Sequence, residues 1–391
     1  MIPFQPRISI GIISDGGFGL APQGRWDISA SDDGIVYTPL EPDALMEVRG
    51  VTIGRNFHWQ SKQTFHYLGS MRVLRRESSP SVLVNTLPME QYLESVVSSE
   101  MAPDAPEEFI KAHTVISRSW ALRKLEGGVG EGEGRVGKIA EPGRILDWDE
   151  SSDHRGSGFD LCSDDHCQRY HGADCVTDKV RRAVKATEGL VLTDADGRIA
   201  DARFSKCCGG HTELFSSCWE DRDLPYLTVR NDPYCDPAFA RSRGFVPELR
   251  KALKGFDADC RYYTWTAEIG RDEVRRNLKE KFGRDVGEIL GLEVERRSKA
   301  GRAVSLRITG SESSLSLGKE LMIRRLLSPS HLYSSAIEIA PEAGGFRIKG
   351  RGWGHGVGLC QIGAAAMALA GYDAAQILGF YYPGTSLSKR Y

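Results

Sequence analysis

The 391-residue chain has almost no net charge: 51 Lys and Arg stand against 53 Asp and Glu, leaving −2. A protein that meets nucleic acid or an anionic membrane through its overall field carries a basic excess, so composition argues for neither. Long apolar runs are also missing. No stretch approaches the roughly 18 consecutive apolar residues of a membrane-spanning helix. The first residues, MIPFQPRISIGIISDGG, contain a short apolar run and no clear small-residue cleavage site ahead of Trp26, which reads poorly as a secretory signal. On that reading the protein stays inside, or its numbering begins after a removed leader. No Gly-Lys-Ser/Thr follows the Gly-rich segment near the C-terminus, which excludes a P-loop. No strand–helix repeat surrounds it either, which excludes a dinucleotide fingerprint. Apolar residues at 40% and charged residues at 27% are ordinary for a globular chain long enough for two or three domains.

Cysteine is not scarce. Nine are present, seven of them between Cys162 and Cys235. A chain of this size folds without disulfides, so the clustering points to a metal site or a local disulfide framework.

Residues 1–85 read as a β-rich N-terminal region, with RISIGII and SVLVNTL as clear short strands. His58, Trp59, Phe65 and His66 read as packing residues there. PMEQYLESVVSSEM, residues 88–101, reads as an amphipathic helix whose stripe is Met89, Tyr92, Leu93, Val96 and Val97. Glu100 continues the stripe. A carboxylate on an apolar face is costly unless paired or protonated, and burial in general favours the protonated form that a general acid needs. The plain alternative is a last-turn residue reaching solvent or a nearby Arg. A second helix is expected over Glu107–Leu125, with Phe109, Ala112, His113, Ile116 and Trp120 facing the core and Arg118 on another face. The Gly-rich, charged text from Gly127 to Gly158 reads as a long exposed loop. KVRRAVKATEGL is a short helix ending at Gly189, and LVLTDADGRIADARFSK a hairpin turning at Asp196-Gly197. Residues 240–345 alternate helical and strand-like text and hold no catalytic signal; they form an α+β insertion or scaffold module.

Three constellations carry chemistry. In FDLCSDDHCQRYHG, preceded by His154, the residues Cys162, His166 and Cys167 offer thiolate and imidazole ligands suited to tetrahedral zinc, with His171 as a spare. A Cys162–Cys167 disulfide is the alternative. In FSKCCGGHTELFSSCW, His211 and Glu213 stand together as a possible site wall. Cys207, Cys208 and Cys218 could complete a metal site or pair with Cys235. Adjacent thiols do not meet the usual disulfide separation, so at least one of Cys207 and Cys208 is expected free or metal-bound. The third is RGWGHGVGLCQIG from Arg351, whose glycines suit a backbone-lined wall presenting Trp353 and His355. Flat aromatic rings with a polar rim suit sugar faces. Asp373 with Gln376 reads as a helix cap and its partner.

Taken in order, these pieces resemble the family of stage II sporulation protein D and its amidase-enhancer relatives. The resemblance rests on Glu90-x-Tyr92-Leu93-x-x-Val96-Val97-x-x-Glu100-Met101, KAHTVISRSWAL with Arg118, HCQRYHG, AVKATEGLVL, GGHTE with CW, LPYLTVRNDPYC, and GRGWGHGVGLCQIGA with GFYYPGT. It covers about residues 85 to 390. The resemblance implies a peptidoglycan-directed protein, and hence a cell-envelope or secreted location. It implies a lytic transglycosylase acting on glycan strands stripped of stem peptides, with Glu100 as the single acid/base and Arg118 beside it. It also implies a structural zinc on His154, Cys162, His166 and Cys167, with the upstream spacing of His154 departing from the family pattern. Gln168, Tyr170, His211, Glu213, Trp353, His355 and Gln361 would line the saccharide cleft. A glycosidase ordinarily uses two carboxylates; here Glu213 is the weaker second. Amidase-enhancer relatives imply instead a non-catalytic partner of a cell-wall amidase. A zinc hydrolase is disfavoured, because two thiolates and two imidazoles close the metal's shell. The expected architecture is α+β: a β-rich region (1–85), a helical-hairpin core with the Cys/His cluster (86–239), the α+β module (240–345), and a Gly-rich loop with C-terminal helices completing the cleft (346–391).

Overall fold

The computed structural model describes residues 4–14, 17–55, 60–75, 81–102, 104–127, 137–141, 143–148, 154, 156–222, 224–253 and 263–391. His58, Trp59 and Cys260 lie outside the described residues. The fold is mixed α+β, and its two compact units are built from interleaved stretches of chain. No helix among the described residues is long and apolar enough to cross a membrane.

The first unit comprises residues 1–131, 151–201 and 386–391. Its six-stranded sheet runs Leu161–Cys162, Arg7–Ile12, Val82–Pro88, Ser70–Leu74, Gly34–Pro39, Trp26–Ser31. Every pairing is antiparallel except the first, where Gly11 lies opposite Cys162 in a parallel ladder. Alternation puts Ile8, Ile10 and Ile12 on the buried face. Gly11 is needed on the other face: a Cβ there would lie 2.6 Å from the Phe159 ring. A second sheet joins Gly19–Gln23, Leu45–Ile53 and Ser61–Tyr67.

Strand Val82–Pro88 passes directly into helix α1, Met89–Glu100, and a short turn leads to α2, Glu107–Leu125. Both helices fall where the sequence places them. Helix α3, Asp178–Ala186, is capped by the Thr177 side chain and packs on both. Helix α2 is not one-sided, since it is buried all round from Ala112 to Leu122, Arg118 included. Its second face meets strand Leu190–Thr193, which pairs antiparallel with the C-terminal strand Ser386–Lys389. The hairpin expected at Asp196-Gly197 is therefore reduced to a single bridge, Thr193 with Ile199.

The second unit comprises residues 132–150 and 202–385. It contains helices α4 (Pro237–Arg243) and α5 (Val246–Leu253) and a five-stranded sheet ordered Ile289–Arg297, Ala303–Gly310, Ser314–Gly318, Arg144–Trp148, Gly137–Glu141. The last two strands correct the loop expected over 127–158, part of which adds to this sheet's edge. A three-stranded sheet (Thr264–Gly270, Gly345–Arg351, Ile337–Glu342) shares a core with helices α6 (Arg271–Phe282) and α7 (Glu320–Leu326), built around Leu278, Leu306, Ile323 and Ile348. Phe204–Ser205 pairs in parallel with Leu359–Cys360, the entry to helix α8, Gln361–Leu369. Helix α9, Ala374–Tyr381, begins with the expected Asp373–Gln376 capping box.

Candidate functional site

Glu100 is the last residue of α1 and stays partly exposed. The segment that meets it is the loop after strand Leu161–Cys162. Arg169 donates its backbone N–H to Glu100 Oε1 at 3.0 Å, and His171 donates its own to Ser99 Oγ at 3.1 Å. A carboxylate that accepts a backbone N–H has its charged form stabilised and its position fixed.

What shapes that loop is the Cys/His group. His154, Cys162, His166 and Cys167 place their ligand atoms within 4.8 Å of one another. His154 Nε2 lies 3.3 Å from Cys167 Sγ. His166 Nδ1 lies 3.6 Å from Cys162 Sγ and 3.5 Å from Cys167 Sγ. A tetrahedral ion at ordinary thiolate and imidazole bond lengths sets neighbouring ligand atoms roughly 3.5 Å apart. All four residues expected from the sequence are thus brought together, and they could hold a metal ion. His154 is steadied by Phe159, its ring centroid 4.8 Å away, which itself rests on Gly11. Cys162 N–H points at Cys167 Sγ, 3.4 Å away, and Asp164 accepts the backbone N–H groups of Gly54 and Arg55.

The two thiols pull apart electrostatically. Hydrogen bonding from Cys167, then from the imidazoles, drives the Cys162 thiol far below its ordinary range. Burial and the neighbouring Cys162 charge push Cys167 up. Two thiolates this close need a cation between them for both to be charged. His171 stands outside the group: it stacks on Phe65 at 5.0 Å, and burial, then Arg169, lower its pKa to about 4.

The other residues expected at the cleft in this unit are structural cross-links. Gln168 is buried, accepting from Tyr92 Oη at 2.9 Å and reaching Ser117 O at 3.4 Å. Tyr170 is buried and donates to Asn85 Oδ1. Arg118 meets Glu90, not Glu100. Its Nε donates to Glu90 Oε1 at 2.9 Å, its Nη2 to Glu90 Oε2 at 2.5 Å, and its Nη1 to Leu190 O at 2.9 Å. It is 0% exposed, so it cannot touch a substrate from there. Sequence reasoning missed Arg169, which reaches Glu100 through its backbone N–H and through the charge of a guanidinium that also pairs with Asp165 at 2.6 Å.

The remaining candidates belong to the second unit. Glu213 is fully buried and fully engaged, accepting from Leu214 N–H, Ser217 Oγ and Ser298 Oγ, which leaves it no open face as a second carboxylate. His211 bridges Asn231 through its backbone, and its buried Nδ1 has no partner. Trp353 bridges Cys207 through its backbone and sets its ring edge-on to Tyr333. His355 accepts Val357 N–H at Nδ1 at 3.0 Å and packs edge-on to Trp219. Burial and then Arg203 and Arg302 lower its pKa to about 3. Gln361 is buried at the start of α8.

Comparison with known proteins gives two family matches. Residues 77–193 match a family model described as stage II sporulation protein, and residues 213–358 match a domain of unknown function (DUF8618). Stage II sporulation protein D of Bacillus subtilis is 26% identical over 308 residues, covering 78% of this chain and 76% of that protein. The amidase enhancer of Bacillus subtilis is 28% identical over 234 residues, 53% of this chain but only 32% of that longer protein. An uncharacterized protein of Brachyspira hyodysenteriae is 25% identical over 321 residues, 82% of this chain and 72% of its own length.

Proposed function

Because residues 77–193 make this chain a member of the stage II sporulation protein family, we propose that it acts on the cell wall, cleaving peptidoglycan glycan strands that lack stem peptides, with Glu100 as a single acid/base. The observation that carries this reading is the Arg169 N–H bond to Glu100. It ties the partly exposed Glu100 to a loop shaped by the Cys/His group.

The chemistry needs one proton moved twice. Protonated Glu100 gives its proton to the glycosidic oxygen as the bond from that oxygen to the muramyl C1 breaks. The carboxylate left behind, steadied by Arg169 N–H, takes the proton of the muramyl 6-hydroxyl. That oxygen bonds to C1 and closes an anhydro ring. No water and no second carboxylate are consumed, which agrees with the engaged state of Glu213.

His154, Cys162, His166 and Cys167 would hold zinc, whose contribution is to neutralise two thiolates and fix the loop. Four protein ligands leave no open position for a reacting water. Purified protein given denuded glycan strands should release anhydro-muramyl products detectable by mass spectrometry. Glu100→Gln should lower the rate by about 100-fold or more, and Cys162→Ser should lose the zinc of this Cys/His group and activity together. Products at an undiminished rate from Glu100→Gln would sink the assignment.

The relative named amidase enhancer supports a second reading, a non-catalytic cell-wall protein that raises the rate of a separate amidase. No products from any glycan form, with acceleration of an added cell-wall amidase, would select it.

A further inference from the structure

We propose that the second unit holds a metal centre of its own, a structural zinc bound by Cys208, Asp232, Cys235 and Cys360. These residues come from three distant parts of the chain. Cys208 follows strand Phe204–Ser205, Asp232 and Cys235 sit on one turn, and Cys360 caps α8. All four are at most 3% exposed, and their ligand atoms lie within 4.8 Å of one another. Cys208 Sγ is 3.5 Å from Cys235 Sγ and 3.2 Å from Asp232 Oδ2. A tetrahedral zinc at ordinary Zn–S and Zn–O bond lengths sets such atoms roughly 3.6–3.8 Å apart, whereas a disulfide brings sulfurs to about 2.05 Å. The eight described cysteines are all free.

The surroundings are those of a ligand set. Cys360 Sγ accepts two backbone N–H groups, from Cys208 at 3.3 Å and from Gly363 in the first turn of α8 at 3.4 Å. That arrangement favours thiolate over thiol. Asp232 is oriented by Tyr381 Oη, which donates to Oδ2 at 2.9 Å, and by Tyr234 N–H, which donates to Oδ1 at 3.0 Å. Such outer partners characteristically fix metal ligands. A carboxylate buried among thiols is costly unless a cation compensates it. Sulfur donors select zinc over magnesium or calcium, and four protein ligands in a sealed interior leave no position for substrate.

The centre would act as a staple. Cys208 O accepts Arg302 Nη2 at 2.9 Å, and Arg302 Nη1 donates to Gly354 O at 2.9 Å, in the loop that presents Trp353 and His355. Fixing Cys208 therefore fixes that loop.

The test uses the full chain purified under reducing conditions without chelator. In a Cys162→Ser/Cys167→Ser background, which removes the first cluster, elemental analysis should find about one zinc per chain. Adding Cys208→Ser and Cys235→Ser should remove it. A zinc-free first-cluster variant overturns the proposal, as does an intact mass showing a disulfide among Cys208, Cys235 and Cys360. Cobalt substitution of the unmodified protein provides a reading that needs no variant to fold. Charge-transfer absorption from three or more Co–S bonds per chain supports the second centre, and absorption from two or fewer overturns it.

Discussion

Arg118 and Glu90 illustrate how a residue can be right in its motif and different in its work. A buried arginine and a substrate-binding arginine look alike in one sequence, because what separates them is whether a partner carboxylate arrives from another element. Here Glu90 arrives from α1, and Tyr391 donates to the same carboxylate. Removing one member of a buried pair leaves the other charged and unpartnered, at a cost of about 3–5 kcal/mol. Arg118→Met should therefore lower stability by that order in urea titration. Arg118→Met with Glu90→Leu should recover much of the loss, because no unpaired charge remains. A direct substrate role for Arg118 would instead show as a raised KM at unchanged stability. Glu100 is the contrary case: partly exposed at a helix end, its replacement by Gln should cost activity and little stability.

At the scale of elements, α1 and α2 are legible because their apolar spacing and first-turn acids are local signals. The second buried face of α2 is not legible, because strand Leu190–Thr193 reaches its place by pairing with Ser386–Lys389, nearly two hundred residues later. A separation of 152 residues hides Cys360 from Cys208, although a cysteine opening a helix was an available signal. The Gly-rich text before α8 has a steric reason. Gly358 has φ +71°, and a Cβ there would lie 2.0 Å from Arg203 O. That carbonyl is already fixed by Tyr382 Oη and Leu359 N–H. Gly371 has φ +94° with nothing within 4 Å. Gly371→Ala should thus cost only the left-handed backbone penalty, about 1–2 kcal/mol. Gly358→Ala should cost several kcal/mol, or abolish folding of the second unit, in the same denaturant titration.

For the whole molecule, each unit should lose stability in acid through its own buried histidines. The α+β class and most of the helices could be read in chain order, but the interleaving of 132–150 and 386–391 between units could not, since it depends on which sheet edge each short strand finds. Each unit carries partly buried histidines held neutral. His171, in the first, has its pKa lowered to about 4; His331 and His355, in the second, have theirs lowered to about 3, chiefly by burial in every case. A histidine whose folded pKa is depressed binds its proton more readily when unfolded. Its contribution to stability is complete above about pH 6.5 and declines as pH falls towards the folded value, by up to about 1.4 kcal/mol per pH unit. His331 and His355 should steepen the second unit's loss of stability between pH 6.5 and 4. Hydrogen exchange read by mass spectrometry at successive pH values, corrected for intrinsic exchange, would follow peptides of each unit separately. His331→Gln with His355→Gln should flatten the fall of protection in the second unit and leave that of the first unchanged. A slope unmoved by the two changes would assign the acid response to groups other than these histidines.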